Sequence, residues 1–546
     1  MNSLGENISN EILNSQYNIF VFLVFLFPLL LILSFKSSIF TDLVIKKSTE
    51  QLIISILTVS IVILILFCGR YHFGGFDLSA PIDIGWRVMQ GQRPYTDFPI
   101  TYPPAFTIGS IASFRLFGLS YLSLVKINAF YAALTFIWTY FILRVLTGNS
   151  LSSLILSFYI QSVSTILCSY WWYNPITEIS GIIYFLSAWI LLKRPASALS
   201  QISYLASLII FAGMKANLAG VLILGVTIIF LTTALHWRVL AISGIAFVVF
   251  TIFYQLNGLY LADIITSTLA ASERASSLKA LYQDNLGLAE IIFYIFCIIA
   301  ILAPFIIAIL KSKKTTLLTS RLFWLSILGE LASSYGEVTN GESRLMDMPL
   351  MLISAMFGIM EICNLSSIDS QKSFSKEKKA IQSYYLSIAL FLLVLGLIFS
   401  LNRHRVEIIG YGSFYERQLA KQEVDVPFFK GVYTGPRLVE VVNEIKQLLT
   451  SNQGEKIYFG PRMGWAYASF GIPSPYNQPP TWDPGTTFAR INESKYIKKW
   501  ISQNFELLIF LKNDFLYMSP EFLNSIAVSY AIDQHYPQLT VFHKIK

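Results

Sequence analysis

Gln51-Leu-Ile-Ile-Ser-Ile-Leu-Thr-Val-Ser-Ile-Val-Ile-Leu-Ile-Leu-Phe-Cys68 is eighteen residues without a charge, enough helix to cross a hydrocarbon core of about 30 Å. Runs of the same kind recur along the chain. Candidate spans are read at 17–35, 51–68, 122–146, 151–170, 176–192, 202–212, 216–234, 239–254, 288–310, 322–335, 345–363 and 384–401, roughly twelve crossings. The composition agrees: of 546 residues 54% are hydrophobic, only 13% are charged, and mean hydropathy is +0.58. Disordered, collagenous and disulfide-scaffold classes are excluded. The first run lacks a basic leader and a small-residue cleavage site, so it is expected to stay as a helix.

The excess of forty Lys and Arg over thirty-two Asp and Glu gives +8, but the basic residues gather in short loops, as the positive-inside rule expects of topology signals. No nucleic-acid partner is implied. Lys311, Lys313, Lys314 and Arg321, and the four lysines of 364–380, place those loops in the cytoplasm. The balanced loop 69–121, the loop 255–287 and the C-terminal region then face outward. Lys193, Arg194 and Arg238 put both ends of 202–234 inside, which makes that stretch two spans with Lys215 at their outer turn. From Asn402 the texture changes. Strand-like runs (Lys456–Gly460, Leu507–Leu511, Thr540–Lys544) alternate with helical patterns near 436–451, 493–503 and 520–531, a small extracytoplasmic α/β domain over 402–546 following a transmembrane domain over 1–401. Its proline-rich centre, Gly471–Gly485, reads as an ordered loop near the membrane surface.

The outward loop 69–121 carries the densest polar signal: Asp77, Pro81, Asp83, Arg87, then Gly91-Gln-Arg93-Pro94-Tyr95-Thr96-Asp97-Phe98 and Tyr102-Pro103-Pro104. Pro81 suits the first turn of a helix, with Ile82, Ile84, Trp86, Val88 and Met89 in the interface and Arg87 in water. Asp83, near the third helical position, complements the helix dipole. Tyr95 and Asp97 serve either sugar hydroxyls or the loop's own hydrogen bonds. Glu178, inside a span after Trp171-Trp172-Tyr173-Asn174-Pro175, is an acid at membrane depth and so a candidate substrate contact. The aromatics before it suit an interfacial belt. The four cysteines and the scattered histidines show no metal-ligand spacing.

The series Asp77, Gly91, Pro94-Tyr95-Thr96-Asp97-Phe98 and Tyr102-Pro103-Pro104 resembles the first periplasmic loop of GT-C glycosyltransferases, membrane enzymes related to protein O-mannosyltransferases that use polyprenyl-phosphate sugars. Gly213-Met214-Lys215 is similar to that family's Gly-x-Lys stretch, and Glu342-Ser343-Arg344-Leu345 before Pro349 to its late Arg-Tyr segment. The order of membrane body and outward domain agrees. Many relatives carry Asp-Glu where this chain has Asp77-Leu78, and Tyr at Leu345, so their second carboxylate and a metal site built on it are not carried over.

The resemblance implies an inverting hexosyl- or pentosyltransferase in a bacterial inner membrane. The donor is a polyprenyl-phosphate sugar, and the acceptor a lipid-linked or cell-envelope glycan. Asp77 is then the general base, and Lys215 and Arg344 bind the donor phosphate; Asp83, Tyr95, Asp97 and Glu178 are further substrate candidates. No cofactor is required, although a divalent cation shared by Asp77 and Asp83 stays open. The alternative class is a transporter or flippase for a polar lipid or glycan, against which stands the lack of an internal repeat. In the C-terminal region, Trp465, Tyr476 and Trp482 are the aromatics available to a glycan.

Overall fold

The computed structural model describes residues 47–271, 320–340, 348–367 and 422–545, apart from 72, 74–77, 167, 486, 513, 515–517 and 534–535. The expected spans at 17–35, 288–310 and 384–401 lie outside the described residues, as do Asp77 and Arg344. The chain is mainly helical: α1 Lys47–Gly69, α2 Ser79–Met89, α3 Pro104–Phe117, α4 Tyr121–Thr147, α5 Ser150–Gln161, α6 Tyr173–Lys193, α7 Ala198–Ala212, α8 Ala216–Leu231, α9 His236–Leu256, α10 Leu261–Ala271, α11 Arg321–Asn340 and α12 Met348–Ser367. Among the described residues, α1, α4, α6 and α9 are long and apolar enough to cross a membrane. α6 is the centre of the bundle, buried on nearly all sides, while α1 and α9 leave most of their apolar surface outward as lipid-facing helices do.

The expected span at 151–170 is shorter: α5 passes into a π-helical turn at Ser162–Ile166, after which the backbone leaves helix. The stretch 69–121, expected as an outward loop, holds more helix than its polarity suggested. α2 and α3 pack together there, α3 starting with Pro104 in its first turn and ending at Gly118 with φ +82°.

C-terminal to these come β1 Gln422–Glu423, β2 Tyr433–Thr434, α13 Pro436–Ser451, β3 Ile457–Phe459, α14 Gly464–Phe470, α15 Glu493–Ser502, β4 Leu507–Leu511, α16 Pro520–Ser529, β5 Tyr530–Asp533 and β6 Leu539–Lys544. A four-stranded sheet runs β3-β4-β6-β5, with β3 parallel to β4 and the other pairs antiparallel. β4 is buried throughout. Its alternation sends Leu507, Ile509 and Leu511 to the face that α13 covers with Leu438, Val441, Ile445 and Leu448. Leu508 and Phe510 point to the other face, where Trp482, Trp500 and Phe522 lie. A run of five apolar residues is what a strand covered on both faces requires. The run expected as helix to residue 531 gives up its end to the edge strand β5.

The α13 face does not stop at the sheet. Phe73 meets Phe429 at 4.7 Å and Trp465 at 5.8 Å between ring centroids, both edge-on, so one apolar core continues from the C-terminal elements into the stretch 69–121. Tyr433 N donates to Arg70 O at 2.8 Å, and the rings of Tyr71 and Tyr433 stack at 5.4 Å.

Beneath this contact lies a buried charge pair. α2 begins at Ser79, so Asp83 is its fifth residue and does not serve as an N-terminal dipole partner. Asp83 Oδ2 accepts from Arg87 Nε at 2.8 Å, one helical turn on, with both side chains 1% exposed. Arg87 is therefore not in water. The rest of its guanidinium reaches Gln92 Oε1 at 3.3 Å and Pro475 O, and its carbon lies 5.1 Å from the centre of the Phe98 ring. The second Asp83 oxygen takes the Ser474 hydroxyl at 2.6 Å. Burial pushes this carboxyl up, while Arg87 and Ser474 pull it back down. Gly464 makes the approach possible, since a Cβ there would stand 3.0 Å from Asp83 Cβ.

Removing one member of a buried pair leaves the other uncompensated, at a cost of about 3–5 kcal/mol. Asp83→Ala is thus expected to lower the thermal midpoint in detergent strongly, and Asp83→Leu combined with Arg87→Met to recover much of the loss. If the double variant is as unstable as the single one, the pair is not what holds the contact.

Asp514, 8% exposed, is pushed by burial to about 6, with Arg462 and Arg437 opposing the rise. An acid whose folded value is raised favours folding fully below its unfolded value, and that contribution is lost as pH rises through about 6. Unfolding midpoints of the wild type minus those of Asp514→Asn are expected to rise on acidification from pH 7 to pH 5; a flat difference would contradict the shift.

Candidate active site

The turn between α7 and α8 presents Lys215 as the residue before α8. Lys215 is half-buried, and the glycine two residues before it packs closely. A Cβ on Gly213 would fall 2.0 Å from the Tyr254 hydroxyl and 3.2 Å from Ala105 Cβ, so only glycine fits against both α9 and α3. Gly213 O accepts from Ala105 N at 2.9 Å, which ties this turn directly to the Tyr102-Pro103-Pro104 stretch. Lys215 N points to Thr177 Oγ1 at 3.4 Å, Lys215 Nζ donates to Asn174 Oδ1 at 3.3 Å, and the ammonium stands 5.3 Å from the centre of the Tyr173 ring. A cation is thus fixed at the N-terminal turn of α6, where the helix dipole also favours an anion.

The aromatic residues before α6 are walls of this place. Trp171 and Trp172 are 5% and 6% exposed, buried in protein rather than laid out as an interfacial belt. Trp171 N donates to Leu124 O at 3.1 Å and its indole to Phe106 O at 2.9 Å, which locks the segment between α3 and α4. Tyr102, Phe106, Trp172 and Tyr173 meet with ring centroids 4.6 to 6.3 Å apart.

Tyr95 takes the left-handed conformation at φ +66°, unusual for a tyrosine, and its hydroxyl donates to Tyr102 O at 2.6 Å. Asp97 closes the same turn: its carboxylate accepts from Arg93 N at 2.7 Å and pairs with Arg93 Nη2 at 3.4 Å. Both side chains therefore hold the loop's shape. Thr96 reaches Asp263 Oδ2 at 3.1 Å, which links the loop to α10.

Glu178 is 0% exposed and takes the Ser164 hydroxyl at 2.9 Å from the π-helical turn. It lies one turn beyond Asn174 on the same face of α6. Asp83, committed to Arg87 and Ser474, is 0% exposed and belongs to the contact with the C-terminal elements. Among the described residues no cluster of three His, Cys, Asp or Glu could hold a metal.

Lys215, Tyr95 and Tyr102 are thus brought together, Glu178 lies further along α6, and Asp83 stands apart from them. Tyr173, Asn174 and Thr177 are site residues that sequence reasoning missed. The only signal was position: they occupy the first turn of a span at the expected outer face.

No protein-family model and no curated protein matches the chain. Among solved structures it is similar to the oligosaccharyltransferase of Archaeoglobus fulgidus, crystallised with zinc and sulfate, with 14% identity over 88% of this chain and 71% of that one, at a TM-score of 0.38. At that score the likeness carries no argument about function, which is drawn from the chain's own residues.

Because Gly213 has no room for a side chain, Gly213→Val is expected to shift the Lys215 turn and cost about 1–3 kcal/mol of stability. A thermal midpoint in detergent equal to wild type would contradict the packing described.

Proposed function

We propose that this chain is a membrane glycosyltransferase that moves one sugar from a polyprenyl-phosphate carrier to an extracytoplasmic glycan or lipid-linked acceptor, with inversion at the anomeric carbon. The observation that carries it is the hydrogen bond from Ala105 N to Gly213 O. It joins two stretches more than a hundred residues apart: Ala105 directly follows Tyr102-Pro103-Pro104, which resembles part of the first periplasmic loop of GT-C glycosyltransferases, and Gly213-Met214-Lys215 resembles their Gly-x-Lys stretch.

In this proposal Asp77, which precedes α2 in sequence, takes the proton of the acceptor hydroxyl as that oxygen attacks the anomeric carbon. The bond from that carbon to the phosphate oxygen breaks, and its electron pair leaves with the polyprenyl phosphate. Lys215, steadied by Asn174 and the Tyr173 ring, meets the charge that develops on the leaving oxygen, and Arg344 contributes a second cation. The spans around α6 carry the lipid tail, and the region 402–546 forms an outward domain beside the site. The membrane, its sidedness and a hexosyl or pentosyl donor belong to the same proposal.

Transfer from a panel of radiolabelled polyprenyl-phosphate sugars, by full-length protein in nanodiscs with membrane acceptors, tests it. Asp77→Asn is expected to abolish turnover while leaving donor binding. Lys215→Gln is expected to lower kcat/KM about 10²–10³-fold, the scale of a lost charge-stabilising donor. Turnover that survives in Asp77→Asn would remove the base. Silence of the wild type across the panel would remove the enzyme.

A further inference from the structure

Tyr476 is 55% exposed on a segment whose backbone is fixed. The carbonyl before it, Pro475 O, takes the buried Arg87; its own carbonyl accepts from Gln503 Nε2 at 2.6 Å; and the next amide, Asn477 N, donates to Asp97 O at 3.0 Å. Asn477 takes the left-handed φ of +59°, and its side-chain oxygen accepts from Lys499 Nζ at 3.1 Å. An aromatic ring is therefore held out toward solvent on a rigid support, with its apolar area left uncovered. The other two aromatics of this region that offered themselves for glycan contact are core: Trp465 is 0% and Trp482 4% exposed.

Around the ring's support stand groups suited to hydroxyls: Asn477 and Lys499 from the C-terminal side, and the exposed Arg93–Asp97 pair from the outward loop. A flat apolar ring whose backbone neighbours carry donors and acceptors suits a pyranose, which offers a C–H face and a rim of hydroxyls. The place is also connected to the Lys215 site. Asp97, which takes the Asn477 amide, is two residues from Tyr95; Tyr95 bonds to Tyr102, and the Tyr102 ring lies 5.7 Å from Tyr173, against which Lys215 stands.

We infer that Tyr476, with Asn477, Lys499 and the Arg93–Asp97 turn, is a saccharide subsite that holds the acceptor glycan while its reacting hydroxyl extends toward the Lys215 site. The assignment rests on the glycosyltransferase reading for its role, but its binding is measured without turnover.

Full-length protein in nanodiscs is applied to an array of soluble oligosaccharides that contain neutral, amino and uronic sugars, as wild type, Tyr476→Ala, Tyr476→Phe and Lys499→Gln. Wild type is expected to bind a subset, Tyr476→Ala to bind it about tenfold more weakly at an unchanged thermal midpoint, and Tyr476→Phe to stay within about threefold. Loss in Lys499→Gln confined to uronic members would mark an anionic glycan, and equal loss on neutral ones a hydrogen bond. Absence of wild-type binding to every sugar, or equal binding by Tyr476→Ala, would overturn the subsite. So would quenching of the Tyr476→Trp variant's added emission by brominated phospholipid, which would make position 476 a membrane contact. Donor transfer is scored separately. Binding lost with transfer intact removes the subsite alone, and sugar binding without transfer in any assay leaves a glycan-binding surface and removes the enzyme.

Discussion

A carboxylate and a guanidinium taken out of water together need every remaining lone pair and proton satisfied, and for Asp83 and Arg87 the satisfying groups come from the far end of the chain. Ser474 and Pro475 close over the pair, Gly464 makes room for it, and the Phe98 ring lies against the guanidinium. The stretch 69–121 therefore has no finished interior of its own. Its shape, and with it the Tyr95 turn and the start of α3, depends on the C-terminal elements staying docked.

That dependence reaches the Lys215 site. α3 is fixed at one end by its packing on α2 and at the other by the bond from Ala105 N to Gly213 O, so it relays the position of the docked loop to the turn that carries the cation. Asn174 and the Tyr173 ring then orient the ammonium against α6, the most enclosed helix of the bundle. A cation gains most from an anionic ligand when its surroundings are set before the ligand arrives, because the cost of arranging them is already met in the fold.

Much of this was legible in the sequence where one physical signal dominates. β4 at Leu507–Leu511 and α13 at Pro436–Ser451 fall where the apolar run and the helical period placed them, because burial on two faces and on one stripe leaves direct marks in the residue pattern. The turn at Lys215 followed from loop charge. What was misread shares one cause. Arg87 was expected in water and Trp171 and Trp172 at a lipid interface because polarity and aromaticity were weighed against a membrane alone, whereas each is buried by partners distant in sequence. Asn174 and Thr177 carry no signal beyond their position at the start of a span; only the return of the chain at 213–215 makes them neighbours of a cation.

The span between Asp83 and Ser474 also has a meaning in time. Their hydrogen bond closes 391 residues of chain, so at the usual 5–20 residues per second the stretch 69–121 leaves the ribosome about 20 to 80 s before its closing partner exists. Throughout that interval the Asp83–Arg87 pair is without Ser474 and Pro475, and Phe73 is without Phe429 and Trp465. Newly made chains thus pass through a stage in which helices before residue 271 are already made while the loop they frame is still open.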